Sequence, residues 1–202
     1  MLEKIENIDL QVVITLNDFF ARHNTIFNRI FAEYLVYLLP IFLLVLWFLP
    51  ARSAEGSADA GEGKKTKKVA LRIFFSIILA WPLISGIIGK LIYRHRPFEF
   101  GGVQEILFHR PTYSFPSDHA AALFAVTFSL FFSGYKKLGY IVLGVSLLIT
   151  FFRVVTGIHF PTDILAGVAI GALSAWIIQL LDKYLDKVYE LIIKIFRMLH
   201  LG

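Results

Sequence analysis

The sequence predicts an all-α fold, a polytopic membrane bundle of about five transmembrane helices with an amphipathic, interfacial helix at either end. Three observations carry this. Hydrophobic residues make up 57% of the chain and mean hydropathy is +0.68, outside the range of a water-soluble domain. Apolar runs of near-membrane length recur between short polar segments. The two ends instead space their apolar residues three or four apart, as a helix lying on a surface does. At 202 residues the chain is expected to be a single membrane-embedded domain.

Within residues 1–22, Ile5, Ile8, Val12, Leu16 and Phe19 recur at helical spacing among Glu3, Lys4, Glu6, Asp9, Asn17 and Asp18, which predicts an interfacial helix. The same mixture lacks the order of a cleavable signal, so the N-terminus is expected to stay attached. Tyr34 to Leu49 is the first uninterrupted apolar run and, with the turn before it, is long enough to cross. Residues 51–68, rich in Ser, Ala, Gly, Glu and Asp and ending in Lys64, Lys65, Lys67 and Lys68, read as a flexible loop. The second span is expected from Val69 to Lys90, bent near Pro82 and Gly86. A polar loop leads to Ser117, a third span runs to Ser133, and a Gly134-Tyr135-Lys136-Lys137 turn opens a fourth that ends near Phe152. The fifth follows Thr162 and ends near Leu181; its Gly167 and Gly171 permit close helix approach. Residues 183–202 read as an amphipathic tail along the interface, with Lys183, Lys187, Lys194 and Arg197 on its polar face.

Charge sets the orientation. Twelve of the twenty Lys and Arg fall in the 51–68 loop and the start of the second span, the Lys136-Lys137 turn and the tail, which places those segments in the cytoplasm. The chain is therefore expected in the plasma membrane, with its histidine-bearing loops on the extracytoplasmic face. The net charge of +5 serves topology and contact with anionic lipid rather than nucleic acid. Cysteine is absent, which excludes disulfides and thiolate-bound metals.

That topology gathers three segments on one face: Lys90, Arg94 and Arg96 after the second span, Ser117 and His119 at the start of the third, and Arg153, His159 and Asp163 between the fourth and fifth. Ionisable groups at membrane depth are costly unless paired or in a wet cavity, so such a cluster points to a functional site. Lys90, Arg96 and Arg153 offer donors suited to a tetrahedral oxyanion. The N-terminus of the third span adds free N–H groups with Ser117 placed to cap them. Two histidines meet the needs of displacement at phosphorus, one as nucleophile and one as acid, without the residues alone saying which attacks.

Lys90…Arg96-Pro97, Pro116-Ser117-Asp118-His119 and Arg153-(five residues)-His159-(three residues)-Asp163 resemble, in order and interval, the three signature motifs of the type 2 phosphatidic acid phosphatase superfamily. The resemblance implies that His159 attacks to form a phosphohistidine, that Asp163 orients and polarises it, and that His119 protonates the leaving group. It implies too that Lys90, Arg96, Ser117 and Arg153 hold phosphate oxygens, with Asp118 beside them, and that neither metal nor cofactor is used. The chain departs from the family pattern in three places: five residues rather than six separate Lys90 from Arg96-Pro97, Asp118 replaces glycine, and Phe152 stands where serine is frequent. Pro-Ser-Asp-His is similar to the bacterial undecaprenyl-diphosphate phosphatases of the superfamily. The substrate it implies is a membrane lipid phosphate, undecaprenyl diphosphate first, with phosphatidic acid, phosphatidylglycerol phosphate or a lipid A phosphate as alternatives.

Blander roles stand beside these. Ser117 and Asp163 fit as helix caps, which is compatible with catalysis. His119, His159, Asp118 and Asp163 have the chemistry of metal ligands, but Lys90, Arg96 and Arg153 would repel a divalent cation and already supply its charge. Arg94, His95, His109 and Arg110 fit either a second phosphate or a solvated loop. A lipid-phosphate or anion transporter would also use positive helix ends, but needs neither nucleophile nor acid.

Overall fold

A computed structural model describes residues 2–21, 25–48, 60–107 and 112–199; among them every regular element is helical. The order is α1 (Leu2–Ala21), α2 (Thr25–Ala32), a 3₁₀ turn (Tyr34–Tyr37), α3 (Leu38–Phe48), α4 (Ala60–Ile78), a π-helical stretch (Leu79–Ser85), α5 (Gly86–Leu91), a second 3₁₀ turn (Pro97–Glu99), α6 (Asp118–Phe132), α7 (Lys136–Val155) and α8 (Pro161–Met198). Four stretches are long and apolar enough to span a membrane: Ile26–Phe48, Gly63–Leu91, Lys136–Val155 and Pro161–Met198. The fifth apolar helix, α6, is shorter, and nearly every residue from Ala120 to Leu130 is buried. A helix apolar on all sides belongs at the centre of a bundle, and α6 is wrapped by α4, α7 and α8. Its 15 residues rise about 22 Å, less than a hydrocarbon core of about 30 Å.

The closest approach is that of α8 to α6. A Cβ at Gly167 would lie 2.6 Å from the Ser117 carbonyl oxygen, and one at Gly171 would lie 2.6 Å from that of Ala121. The small-residue spacing thus sets α8 against the backbone at the start of α6, where the motif residues sit.

Four features differ from the expectations. The first span is not one helix: α2 and α3 are separated by the 3₁₀ turn, and the apolar stretch begins at Ile26. The second span takes up Pro82 by widening to a π-helix, which accommodates the missing N–H and the ring's clash with the preceding turn. The loop expected over 51–68 gives way to helix at Ala60, while residues 51–59 lie outside the described residues. The tail does not turn away at Asp182, and α8 continues unbroken to Met198. These last two corrections share one cause. Lys64, Lys68 and Arg72 lie four apart on α4, and Asp182, Asp186 and Glu190 lie four apart on α8. Lys64 meets Glu190 at 2.7 Å, Lys68 meets Asp186, and Arg72 meets Asp182 through two hydrogen bonds of 3.0 and 2.7 Å. A charge run that looks like solvated loop in isolation becomes a helix-helix seam once its partners, more than a hundred positions away, are helical too.

Helix α1 packs on the bundle through Asp9, Val13 and Asn17, all buried, while Ile5, Ile8, Val12 and Phe19 stay exposed. This polar-in, apolar-out arrangement suits a helix whose outer face meets lipid. Asn17 fixes it in place: its amide donates to the carbonyls of Val155 at 2.9 Å and Gln104 at 3.1 Å and accepts from the Gln104 N–H at 2.7 Å.

Candidate active site

The motif residues converge where the loop after α5, the N-terminus of α6, and the link from α7 to α8 meet. Gly157, at φ +72°, turns the chain at the end of α7 and delivers His159 inward. Its carbonyl is held by the Phe98 N–H at 3.0 Å, which ties the link to the loop carrying Arg96.

His159 is buried, with Nδ1 2.8 Å from the Ser114 carbonyl oxygen. A carbonyl only accepts, so Nδ1 carries the proton and Nε2 keeps the lone pair. That Nε2 lies 3.4 Å from Nη2 of Arg153. The nearest Asp163 oxygen, Oδ2, is 3.6 Å from Nδ1, so the orienting hydrogen bond comes from Ser114 and the carboxylate acts across space. Asp163 itself is fully buried. Its Oδ2 accepts from the Phe160 N–H at 2.8 Å, capping α8 after Pro161, and its Oδ1 accepts from Arg94 Nη1 at 2.7 Å.

Two guanidinium groups border the site. Arg153 donates from Nη1 to the Ala32 carbonyl at 3.1 Å. Arg96 donates from Nη1 to the Ile158 carbonyl at 2.9 Å and from Nη2 to Thr112 Oγ1 and the Tyr113 carbonyl, both at 3.0 Å. The Nε of each is buried with no hydrogen-bond partner. Burial pushes the Arg96 guanidinium below its ordinary range, against the pull of Asp163, Asp118 and Glu99, and an arginine stays charged regardless. Two cations buried close together are an unfavourable arrangement that an oxyanion between them would relieve.

Ser117 caps α6, accepting from the Ala120 N–H at 3.4 Å, while its own N–H donates to the Asp163 carbonyl at 3.1 Å. Asp118 follows in the first turn; one carboxylate oxygen is buried without a partner, and Trp81 from the π-helical stretch lines the same cavity as Asp118. His119 lies at the junction of two cavities. One, about 160 Å³, is lined by Glu33, Val36, Tyr37, Leu107, His119, Arg153 and Ile158. The other is an apolar groove of about 340 Å³ between α3, α4, the π-helical stretch and α6, lined by Leu39, Pro40, Ile77, Trp81 and Ala122 together with Asp118, His119, Val36 and Tyr37.

The structure therefore brings together His119, His159, Asp163, Arg96, Ser117, Asp118 and Arg153. Lys90 stands apart: it is exposed on the last turn of α5, and no hydrogen bond or ion pair joins it to the other seven. Arg94, left open between a phosphate contact and a solvated loop, is neither. It spans Asp163 and Asp9, donates to Thr162 Oγ1 at 2.8 Å, and lies 3.9 Å from the Phe160 ring centroid. His95 faces out and pairs with Glu99 at 2.8 Å; the hydrogen bonds that Glu99 accepts from the Arg96 N–H and from His95 outweigh burial and hold its carboxyl below the usual range. His109 and Arg110 lie outside the described residues. Sequence reasoning missed Asp9, Glu33, Trp81, Ser114 and Thr162. Of these only Asp9 left a trace, as the first of three residues four apart, Asp9, Val13 and Asn17, on an amphipathic helix.

Comparison with known proteins gives a consistent picture. The model of the PAP2 superfamily matches residues 70–186, more than half of the chain. The "Bacitracin transport permease protein BcrC" of Bacillus licheniformis is 30% identical over 147 residues, 71% of this chain and 64% of that protein. The "Putative undecaprenyl-diphosphatase YbjG" of Escherichia coli strain K12 is 30% identical over 152 residues, 73% of this chain and 69% of the relative. The "Phosphatidylglycerophosphatase B" of Bacillus subtilis is 32% identical over 115 residues, about half of each chain. Among solved structures, Aquifex aeolicus LpxE superposes with a TM-score of 0.62 at 25% identity, covering 84% of this chain and 93% of that one.

Proposed function

The chain belongs to the PAP2 superfamily, and from that premise we propose that it is a lipid phosphatase that hydrolyses undecaprenyl diphosphate to undecaprenyl phosphate and inorganic phosphate. One observation carries the reading: the proton of His159 is fixed on Nδ1 by Ser114, so the Nε2 lone pair points to buried Arg153, next to a cavity that also holds His119. In this mechanism Nε2 attacks the terminal phosphorus and the bond from phosphorus to the bridging oxygen breaks. His119 gives its proton to that oxygen, and undecaprenyl phosphate leaves. Water then attacks the phosphohistidine while His119 takes up a proton, releasing phosphate and restoring Nε2. Arg96, Arg153 and the capped N-terminus of α6 stabilise the charge on the equatorial oxygens, the part a metal would otherwise take. The apolar groove beside His119 accommodates the first carbons of the lipid. The distribution of Lys and Arg supports a site on the extracytoplasmic face of the plasma membrane.

Phosphatidic acid, phosphatidylglycerol phosphate and lipid A phosphates are the alternatives within the same chemistry, and the last two are supported by relatives of similar identity named for them. Phosphate release by the purified full chain over a panel of these lipids, with and without chelator, tests the function. Undecaprenyl diphosphate is expected to turn over fastest, with chelator without effect. Transfer of the lipid across liposomes with no phosphate released would instead identify a transporter.

A further inference from the structure

On the phosphatase reading above, we propose that Asp9 and Arg94 are positioning residues for the nucleophile, and that α1 is for this reason a working part of the active site. The observation is a relay of three charges, a half-buried arginine between two buried carboxylates. Asp163 Oδ2 stands 3.6 Å from the His159 Nδ1; Asp163 Oδ1 takes Arg94 Nη1 at 2.7 Å; Arg94 Nη2 meets Asp9 Oδ2 at 2.9 Å. Thr162 closes the corner, donating through its hydroxyl to Asp9 Oδ2 and through its N–H to Asp9 Oδ1 at 3.3 Å. Asp9 and Asp163 are buried, and the Arg94 guanidinium rests on the Phe160 ring. With carboxylates on two sides and an aromatic face beneath, Arg94 is committed and is no phosphate ligand.

The charge count gives the relay its purpose. When Nε2 bonds to phosphorus the imidazole ring becomes cationic, and its Nδ1, bonded to the Ser114 carbonyl, lies 3.6 Å from the Asp163 carboxylate. Asp163 paired with Arg94 alone would form a neutral couple offering that ring little. Asp9 adds the second negative charge, so Asp9, Arg94 and Asp163 together carry a net charge of −1 beside the developing cation. In a buried site that difference is felt strongly. Arg94 in turn holds the Asp163 carboxylate in one orientation. The docking of α1 does not depend on Asp9, because Asn17 anchors the helix two turns away through three hydrogen bonds.

The test uses the purified full chain and farnesyl diphosphate as a soluble polyprenyl diphosphate, with kcat, KM and Tm measured for each variant. Asp9→Asn is expected to lower kcat about 10- to 100-fold, the usual weight of an outer-shell partner, with KM within about threefold. Asp9→Glu should recover most of the loss. The decisive variant is Asp9→Asn/Arg94→Gln, which removes both charges and leaves Asp163 alone at −1; its kcat should exceed that of Asp9→Asn. Asn17→Ala, which loosens α1 without touching the relay, should lower Tm and spare kcat. An unchanged kcat in Asp9→Asn, a double variant no better than the single, or an Asn17→Ala that loses kcat equally overturns the proposal. If Asp9→Asn does not fold, Asp9→Glu and the double variant decide: the double variant keeps the Asp163 charge and should exceed Asp163→Asn in kcat, a double variant as slow as Asp163→Asn counting against the relay. Wild-type turnover with an indifferent Asp9 defeats this inference alone; a wild type that releases no phosphate defeats the phosphatase reading and the inference with it.

Discussion

His159 donates its Nδ1 proton to the backbone carbonyl of Ser114 at 2.8 Å, and that bond leaves the lone pair on Nε2. Because the acceptor is a backbone atom, its identity was not legible in the motif, only its consequence.

Asp163→Asn keeps the cap on Phe160 but removes the charge facing His159 and leaves Arg94 paired only with Asp9. A drop in kcat of about 10²–10⁴-fold with a smaller change in KM is expected, in keeping with removal of the charged partner of a reactive histidine. Steady-state kinetics on one lipid substrate check it, and a variant within twofold of wild type would remove Asp163 from the mechanism.

For His119, the leaving group makes the distinction. Expelling a phosphate monoester, whose second pKa is about 6, needs little help from an acid, whereas expelling an alkoxide needs much. His119→Ala should therefore lose about 10²–10⁴-fold on phosphatidic acid and markedly less on a polyprenyl diphosphate. Equal losses on both would mean that His119 serves in binding rather than proton transfer.

The same division of labour sets the pH profile. In the proposed mechanism an alkoxide leaving group, as in phosphatidic acid, needs the proton of His119, so activity on that substrate should fall as pH rises; Nε2 of His159 must carry no proton, so activity should fall as pH drops. A bell-shaped kcat/KM profile is expected for the wild type on phosphatidic acid, with the basic limb lost in His119→Ala. A wild-type profile flat across the histidine range would contradict both assignments.

Packing predictions separate scaffold from site. Gly171→Ala places a Cβ 2.6 Å from the Ala121 carbonyl oxygen and should cost about 1–3 kcal/mol, seen as a lower Tm in detergent with kcat retained in what stays folded. Gly167→Ala strikes the Ser117 carbonyl and should lower kcat as well. By contrast Lys68→Ala or Asp186→Ala breaks a partly exposed ion pair, expected to be worth about 0.2–1 kcal/mol, with no effect on turnover.

What the sequence revealed and what it hid follow from the range of the interactions. Helix positions and the order of Arg96, Ser117, His119, Arg153, His159 and Asp163 were legible because they rest on local apolar runs and on spacing along one chain. Asp9 was not, since its partners Arg94 and Thr162 lie 85 and 153 positions away and a carboxylate on an amphipathic helix ordinarily faces water. Lys64 and Lys68 looked like loop for the same reason: a lysine run shows its helix only when Asp186 and Glu190 stand opposite. Lys90 shows the converse risk, since the residue nearest in type to a motif position ends exposed, while Arg94, four residues on, pairs with the buried carboxylates of Asp9 and Asp163.

The most direct measurement is capture of the phosphoenzyme. Rapid acid-free quenching of the chain with a substrate labelled at its terminal phosphate should show about one label per active chain, stable in base, lost in acid and mapping to His159. The label should be absent in His159→Ala and persist longer in His119→Ala. No label in a wild type that is turning over, or label surviving in His159→Ala, would contradict the account.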